Sequence, residues 1–202
     1  YCFQRLMRQL VKHWRWLERK LLQFLDDGMG GHSSFVEGVM QRNELFNLMH
    51  ALGLRLSTKS SPLLEQTKEF LGMIVHTAGE VNTFHVPEKK VEKLQALLHD
   101  MVEMDAWTMR KLAKVTGKLL SMSLAIPMSR IMSRSLYACM HTNDKGAWDD
   151  LMKKEEEVIK ELKWIAKALV PFNKQGFPIW VKEEIVDFDI TADASPVAGG
   201  FK

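Results

Sequence analysis

Cysteine is nearly absent from this chain. Cys2 and Cys139 are the only two among 202 residues, too few for a disulfide framework and without the paired spacing of a zinc site. Both are expected to stay reduced, and neither to act as a nucleophile. Long apolar runs are missing as well. No stretch of about 18 uncharged apolar residues occurs, which excludes a spanning helix. The start, Tyr1-Cys2-Phe3-Gln4-Arg5, lacks a signal-peptide pattern. An intracellular location, cytoplasmic or nuclear, with no membrane partner, is therefore expected. Aspartate is absent from residues 1–25, which constrains any acidic chemistry near that end. What remains, 46% hydrophobic and 26% charged residues, is ordinary for a folded chain with a core, and disorder is not indicated.

The formal net charge is only +3, but it is unevenly placed. Arg5, Arg8, Lys12, Arg15, Arg19 and Lys20 crowd the first twenty residues against one acid, Glu18. That local field suits phosphates, with a plain solvated helix face as the alternative. Phe3, Leu6, Met7, Leu10, Val11, Trp14 and Leu17 fall at three-and-four spacing and predict an amphipathic helix whose basic residues mostly face outward. The helix leads into Leu21-Leu22-Gln23-Phe24-Leu25-Asp26-Asp27-Gly28-Met29-Gly30-Gly31. This reads as a short buried strand, a reversal at Asp27-Gly28 and a return strand, because Asp-Gly supplies the positive φ of a hairpin turn. Two carboxylates then share the tip, where they repel unless a cation lies between them, and hard oxygen ligands suit Mg²⁺. On these residues alone, a simple turn is the better account of Asp-Gly.

Three boxes in order tie this stretch to a family. Phe24-Leu25-Asp26-Asp27 resembles the catalytic aromatic-x-Asp-Asp box of reverse transcriptases, most closely those of tyrosine-recombinase (DIRS-like) retroelements. Gly53-Leu54-Arg55-Leu56-Ser57-Thr58-Lys59-Ser60 is similar to the next motif, whose lysine lies near the incoming nucleotide. Phe70-Leu71-Gly72-Met73 resembles the Phe-Leu-Gly turn of the primer grip. The helix from Tyr1 is similar to the one that follows the family's template-contacting motif. Asp189-Ile190-Thr191-Ala192-Asp193-Ala194-Ser195 resembles the first strand of a ribonuclease H domain, with Asp193 in the metal-binding position.

The resemblance implies an α+β fold in three parts. Residues 1–86 would be a partial palm of two β-hairpins with packed helices, 87–170 a helical thumb and connection bundle, and 171–202 a linker and the start of a ribonuclease H-like strand. It implies an RNA-directed DNA polymerase with ribonuclease H, taking an RNA template, a DNA primer and deoxynucleoside triphosphates. Asp26 and Asp27 would hold two Mg²⁺ ions, one activating the primer 3′ hydroxyl and the other steadying the triphosphate. Lys59 would lie on the nucleotide side, Phe70, Leu71 and Gly72 would form the primer grip, and Arg5, Arg8 and Lys12 would contact the nucleic-acid backbone. Two-metal sites need a further carboxylate from another strand, and residues 1–25 hold no aspartate. The chain is thus expected to be a piece of a longer polypeptide, inactive alone, with both metal sites completed elsewhere.

The remaining pattern fills in the parts. Ser34 with Glu37 predicts a capping box opening a helix through Val36, Val39, Met40, Phe46 and Met49 to Gly53. Leu54 and Leu56 alternate over a short strand ahead of Lys59. Phe70 to Val75 and Val81 to Val86 read as two strands joined across Thr77-Ala78-Gly79-Glu80, with His76 and His85 as surface residues near the base. Pro87 opens a helix with Val91, Leu94, Leu97, Leu98 and Met101, and Thr108 caps the next. Pro127 opens a third, with Ile131, Met132, Leu136 and Cys139. A long fourth, from after Asn143-Asp144, carries Leu151, Val158, Ile159, Leu162, Ile165 and Leu169 and stops at Val170-Pro171. Short connections predict an antiparallel bundle. Asp187 and Asp189 read as charges that keep an edge strand soluble. Two other readings stay open: a non-catalytic nucleic-acid-binding or assembly module derived from a retroelement, and a helical interaction bundle with a fortuitous Asp-Asp turn. Nothing in the pattern specifies an oligomeric state.

Overall fold

The apolar stripe Met7, Leu10, Val11 and Trp14 makes helix α1 (Cys2–Trp16) and is the face it buries. The computed structural model describes residues 2–58, 60, 63–142 and 148–179, and the backbone of two short strands at 192–194 and 199–201. Helix α1 ends in a paired set of backbone bonds, Glu18 N to Arg15 O (2.9 Å) and Arg19 N to Trp14 O (3.3 Å). Glu18 has φ 58°, a left-handed position that normally favours glycine. The reversal launches β1 (Lys20–Phe24), which pairs antiparallel with β2 (Asp27–Gly31). Helix α2 (Phe35–Ala51) follows, its N-cap Ser34 Oγ accepting from Glu37 N at 3.2 Å.

These elements share a small core: Met7, Leu10, Val11, Trp14 and Leu21, with Leu45, Leu48, Met49 and Leu54 against it. Two expectations change here. The β1 strand is not buried; only Leu21 reaches the core, and Leu22 and Phe24 are exposed. Of the apolar face expected on α2, Val36 and Met40 stand in solvent; the residue buried in the first half of the helix is Gly38, against which Leu64 lies. Residues 54–57 form no strand. Gly53 N donates to His50 O and Leu54 N to Met49 O, both at 2.9 Å, with Gly53 at φ 73°. Leu54 thus belongs to the helix cap and not to a ladder.

The second core is built on a four-stranded antiparallel sheet of β3 (Thr67–Phe70), β4 (Met73–His76), β5 (Thr83–His85) and, far along the chain, β8 (Phe177–Pro178). Against it stand helices α3 (Glu88–Glu103), α4 (Met109–Ser121), the short α5 (Ser129–Met132), α6 (Arg134–Thr142) and α7 (Glu156–Gln175). A two-residue bridge joins β6 (Trp107–Thr108) to β7 (Leu151–Met152). Leu94, Leu98, Met101, Trp107, Leu112, Val115, Leu119, Leu136, Val158, Leu162 and Ile165 are fully buried. Helices α3 to α7 pack around this one core, and Thr108 caps α4 as expected, its Oγ1 accepting from Lys111 N at 3.3 Å. The remaining strands, β9 (Ala192–Ala194) and β10 (Gly199–Phe201), pair antiparallel.

Side chains from distant elements close the helix ends. Helix α3 has no basic residue in its last turn. Lys154 Nζ supplies the charge, donating to Val102 O and Met104 O (2.6 Å each), and Trp107 Nε1 donates to Met101 O at 2.7 Å. At the other pole, the Glu161 carboxylate accepts from Ser135 N (3.1 Å) and Leu136 N (2.9 Å), placing negative charge on the α6 N-terminus.

The long last helix departs from expectation at both ends. Leu151 lies outside it, in the β7 bridge and exposed. Pro171 sits inside, and α7 continues to Gln175. Proline removes one intrahelical donor, but the next residues are held from outside. Asn173 Oδ1 accepts from Val86 N (2.6 Å), and Asn173 Nδ2 donates to Val86 O (2.9 Å). The segment expected to be a linker after 171 is therefore helix and then strand. The third predicted helix is also broken, into α5 and α6 at Ser133, whose Oγ donates to Ser129 O at 2.9 Å.

Two outcomes check this packing. Asn173→Ala leaves buried backbone of Val86 without its partners and should destabilise the fold by about 1–3 kcal/mol, read as a lower denaturant midpoint. Cys139 is buried, and burial, followed by a hydrogen bond and charge from Glu155, pushes its thiol up from 9.0 to about 11. The raised value means that this stability is fully present below pH 9 and erodes between pH 9 and 11. At pH 8 iodoacetamide should label exposed Cys2 and spare Cys139 until denaturant is added, as mass spectrometry will show.

Candidate functional site

The β1–β2 register pairs Lys20 with Gly31, Leu22 with Met29 and Phe24 with Asp27. The loop is therefore Leu25-Asp26, two residues before the expected Asp27-Gly28, and Asp27 is the first residue of the return strand. Leu25 adopts φ 54°, a conformation in which a bulky side chain is rare. Gln23 explains the shift. Its Nε2 donates to Leu25 O at 2.7 Å, fastening the turn carbonyl, and a Cβ on Gly28 would come within 3.1 Å of Gln23 Oε1. Glycine 28 thus makes room for the side chain that holds the loop instead of forming it.

Asp26 and Asp27 keep their place at the tip, both exposed. As hard, anionic oxygen donors they fit Mg²⁺ in kind. They are too few to enclose it, because Mg²⁺ gives up water reluctantly and needs several ligands in near-octahedral array. Among the described residues, no group of three or more His, Cys, Asp or Glu side chains is placed to share a metal ion.

The Phe70-Leu71-Gly72-Met73 box is also a hairpin tip. Phe70 pairs with Met73, leaving Leu71 and Gly72 as a two-residue loop with φ 50° and 73°, the left-handed pair that a type I′ turn demands. Phe70 to Val75 is accordingly two strands with a reversal, not one, and Thr77 to Glu80 lies in the following connection, between β4 and β5. Lys90 Nζ donates to Gly72 O at 2.8 Å, and any Cβ on Gly72 would collide with that ammonium. Leu71 is half-exposed and presented to solvent. The Asp-Asp hairpin and this second hairpin belong to different sheets.

His76 and His85 are half-buried and not fully on the surface; Asn173 and Gly176, at the end of α7, close over His85. The two histidine ring centroids lie 6.1 Å apart, edge to face. His85 Nδ1 donates to Asn173 O at 2.8 Å, and its Nε2 is 2.8 Å from Thr83 Oγ1. Thr67 Oγ1 meets His76 Nδ1 at 2.8 Å. Gly176 crosses directly over the His85 ring, where a Cβ would not fit. The pair belongs to a cleft of about 820 Å³ that also includes Glu88 and Glu92. With both nitrogens of His85 engaged, the cleft has the character of a polar structural joint.

Helix α1 carries Arg5, Arg8, Lys12 and Arg15 and no acid. Spacings of three and four put these cations along one stripe, away from the buried Met7, Leu10, Val11 and Trp14. Arg15 is engaged internally, its Nε and Nη2 donating to Leu21 O at 3.2 and 2.9 Å. Arg19 pairs with Glu44 and stacks over Trp14 at 4.6 Å. Both thus serve the small core, while Arg5, Arg8 and Lys12 are exposed.

The other expected site residues lie elsewhere. Lys59, Asp187 and Asp189 fall outside the described residues, and Asp193 is described only as backbone of β9, opposite Gly200. Gln23 and Lys90, which fasten the two tips, escaped sequence reading. A polar residue two before a turn was the only available signal for Gln23, and nothing local pointed to Lys90, 18 residues from Gly72. No protein-family model matches the chain, and no curated protein matches it significantly. No described helix is long and apolar enough to cross a membrane.

An exposed cationic stripe should bind phosphates through counterion release, so oligonucleotide affinity should fall steeply with salt. The triple variant Arg5→Glu, Arg8→Glu, Lys12→Glu should weaken binding at least tenfold at 50 mM salt. Fluorescence anisotropy across a salt titration checks both; a flat titration would exclude a phosphate surface.

Proposed function

We propose that this chain is part of an RNA-directed DNA polymerase of a retroelement, contributing the Asp-Asp hairpin, a primer-gripping hairpin and a helical thumb. The observation that carries the reading is a coincidence of motif and geometry. Two of the three boxes that suggested the family fall on hairpin tips, and both tips hold a leucine in the left-handed region, Leu25 at 54° and Leu71 at 50°. Backbone strain of this kind costs on the order of 1–3 kcal/mol and clusters where a chain must present a group in one position. At the first tip the group is a pair of carboxylates; at the second it is a narrow, half-exposed Leu-Gly edge braced by Lys90.

In this reading Asp26 and Asp27 would hold Mg²⁺ with at least one more carboxylate from another part of the polypeptide. The bound metal would lower the pKa of a primer hydroxyl and offset charge on the triphosphate. The residues present orient. Gln23 fastens the loop carbonyl of Leu25, the β1–β2 pairing sets the register of the tip, and both carboxylates are exposed there. Leu71 and Gly72 would bear on the primer backbone, and the Lys90 ammonium, which fills the space a Cβ on Gly72 would take, would brace that edge. Arg5, Arg8 and Lys12 would hold phosphates, and Lys59 the nucleotide. Ribonuclease H chemistry at Asp193 would likewise require acids from further along. A non-catalytic nucleic-acid-binding module is the second reading, favoured by the solvent-open, two-carboxylate tip.

Primer extension on an RNA template, using the longer polypeptide that this reading requires, separates the two. The double variant Asp26→Asn, Asp27→Asn should lower extension by several orders of magnitude and leave duplex affinity within about twofold, since phosphate contacts lie elsewhere. Extension at the unmodified rate would reduce the hairpin to a turn and end the polymerase reading. The 202-residue chain alone should bind Mg²⁺ with a dissociation constant on the order of 1 mM or weaker.

A further inference from the structure

Trp16 is the most exposed large aromatic among the described residues outside any expected site, with 77% of its surface open to solvent. It ends α1, one position after Arg15, and its indole stacks on the His13 imidazole with centroids 6.1 Å apart and planes inclined by 27°. At that separation the two rings are offset neighbours, and with most of its surface open the indole has a face available. Helical spacing puts Trp16 four residues beyond Lys12, which is four beyond Arg8, so the ring lies in line with the cationic stripe. From Arg5 to Trp16 this line runs about 17 Å, eleven residues at 1.5 Å each. Its end is anchored. Arg15 is clamped on Leu21 O, and Glu18 N and Arg19 N close the helix on Arg15 O and Trp14 O.

We infer that the outer face of α1 is a binding surface for single-stranded nucleic acid, with the Trp16–His13 pair as a platform for one unpaired base and Arg5, Arg8 and Lys12 on the adjoining phosphates. The inference rests on the reading that this chain meets nucleic acid and adds which form α1 selects and where. An aromatic plane in a row of cations binds a strand whose base faces are free; in a duplex those faces are already stacked. Charge complementarity points the same way, because α1 carries four cations and no acid. A lipid surface suits the face less well. Insertion of an amphipathic helix requires its apolar stripe, and here Met7, Leu10, Val11 and Trp14 are committed to the protein core. The platform is also separate from the Asp-Asp tip, which lies at the far end of β1, a strand of four steps or about 14 Å.

The test uses the 202-residue chain with a fluorescein-labelled 12-nucleotide oligo(U), the same length of oligo(dT), and a 12-base-pair duplex, by anisotropy at several salt concentrations. Trp16→Ala should weaken single-strand binding by about 5- to 100-fold while duplex binding changes less than twofold, and Trp16→Phe should recover most of the loss. The salt slope should be unchanged in Trp16→Ala, which removes no phosphate contact, and should drop by about 0.7 in Lys12→Ala. Circular dichroism of each variant confirms that the fold is retained. Equal single-strand affinity in Trp16→Ala and the unmodified chain would overturn the platform while leaving the phosphate stripe and the polymerase reading intact. Equal losses on single strand and duplex would also overturn it. If the unmodified chain bound none of the three probes, or bound phosphatidylserine vesicles in their place, both the platform and the nucleic-acid reading would fall. Loss of extension in Asp26→Asn, Asp27→Asn bears on the polymerase reading alone.

Discussion

One amide side chain joins the beginning of the larger core to its end. Asn173 accepts from and donates to Val86, 87 residues earlier, and its own carbonyl receives His85 Nδ1. A primary amide offers a donor and an acceptor about as far apart as those of a strand neighbour, so Asn173 serves Val86 as an extra ladder partner where the sheet meets the helix. Several features depend on that lock. The helix passes through Pro171 without ending, Gly176 is carried across the His85 ring, and Phe177 reaches Phe84 to complete the sheet as β8. Without it the last turn of α7 would have a missing donor and no compensating tether.

The smaller core obeys a different economy. Five buried residues and four partly buried ones hold α1, β1 and α2 together, leaving the hairpin tip and the first half of α2 in solvent. Phe35, Val36 and Met40 are each more than half exposed, as are Leu22, Phe24 and Leu25. A unit of this kind presents its tip without burying it. The capping groups of the larger core show how the helical half stays rigid beside it. Lys154 and Glu161 put a full charge of the correct sign against the ends of α3 and α6, and both come from around α7.

Strain is distributed with some economy too. Glu18, Leu25 and Leu71 are the only non-glycine residues with positive φ among those described. The first closes α1 and aims Trp16 and β1 in their separate directions; the other two form hairpin tips. In each case a hydrogen bond overdetermines the loop: Gln23 to Leu25 O, Lys90 to Gly72 O, and Arg19 N to Trp14 O.

Periodicity and capping chemistry were legible without coordinates. The stripe of α1, the Ser34 and Thr108 caps, the stop at Gly53, most bundle positions from Val91 to Leu169 and the hairpin carrying Asp26-Asp27 follow from local rules that act within about four residues, whereas the reversal at Leu71-Gly72 fell inside a stretch read as one strand. Proline and Asp-Gly misled for the same reason. Both are strong local signals, and at Pro171 and Asp27-Gly28 they lost to contacts that local rules do not contain, the Asn173 clamp on Val86 and the Gln23 bond across the turn. The strand expected at Leu54 was a correct alternation lacking a partner, since a strand exists only where another backbone pairs with it. The sequence by itself determined which residues are chemically able to serve: two adjacent carboxylates, a cationic helix and a Phe-Leu-Gly turn. Only the tertiary structure decided which of them face outward and on which sheet they stand. Exposure and pairing are set by what else packs against a residue, and that information is shared among residues as far apart in the chain as Asn82 and Ile179.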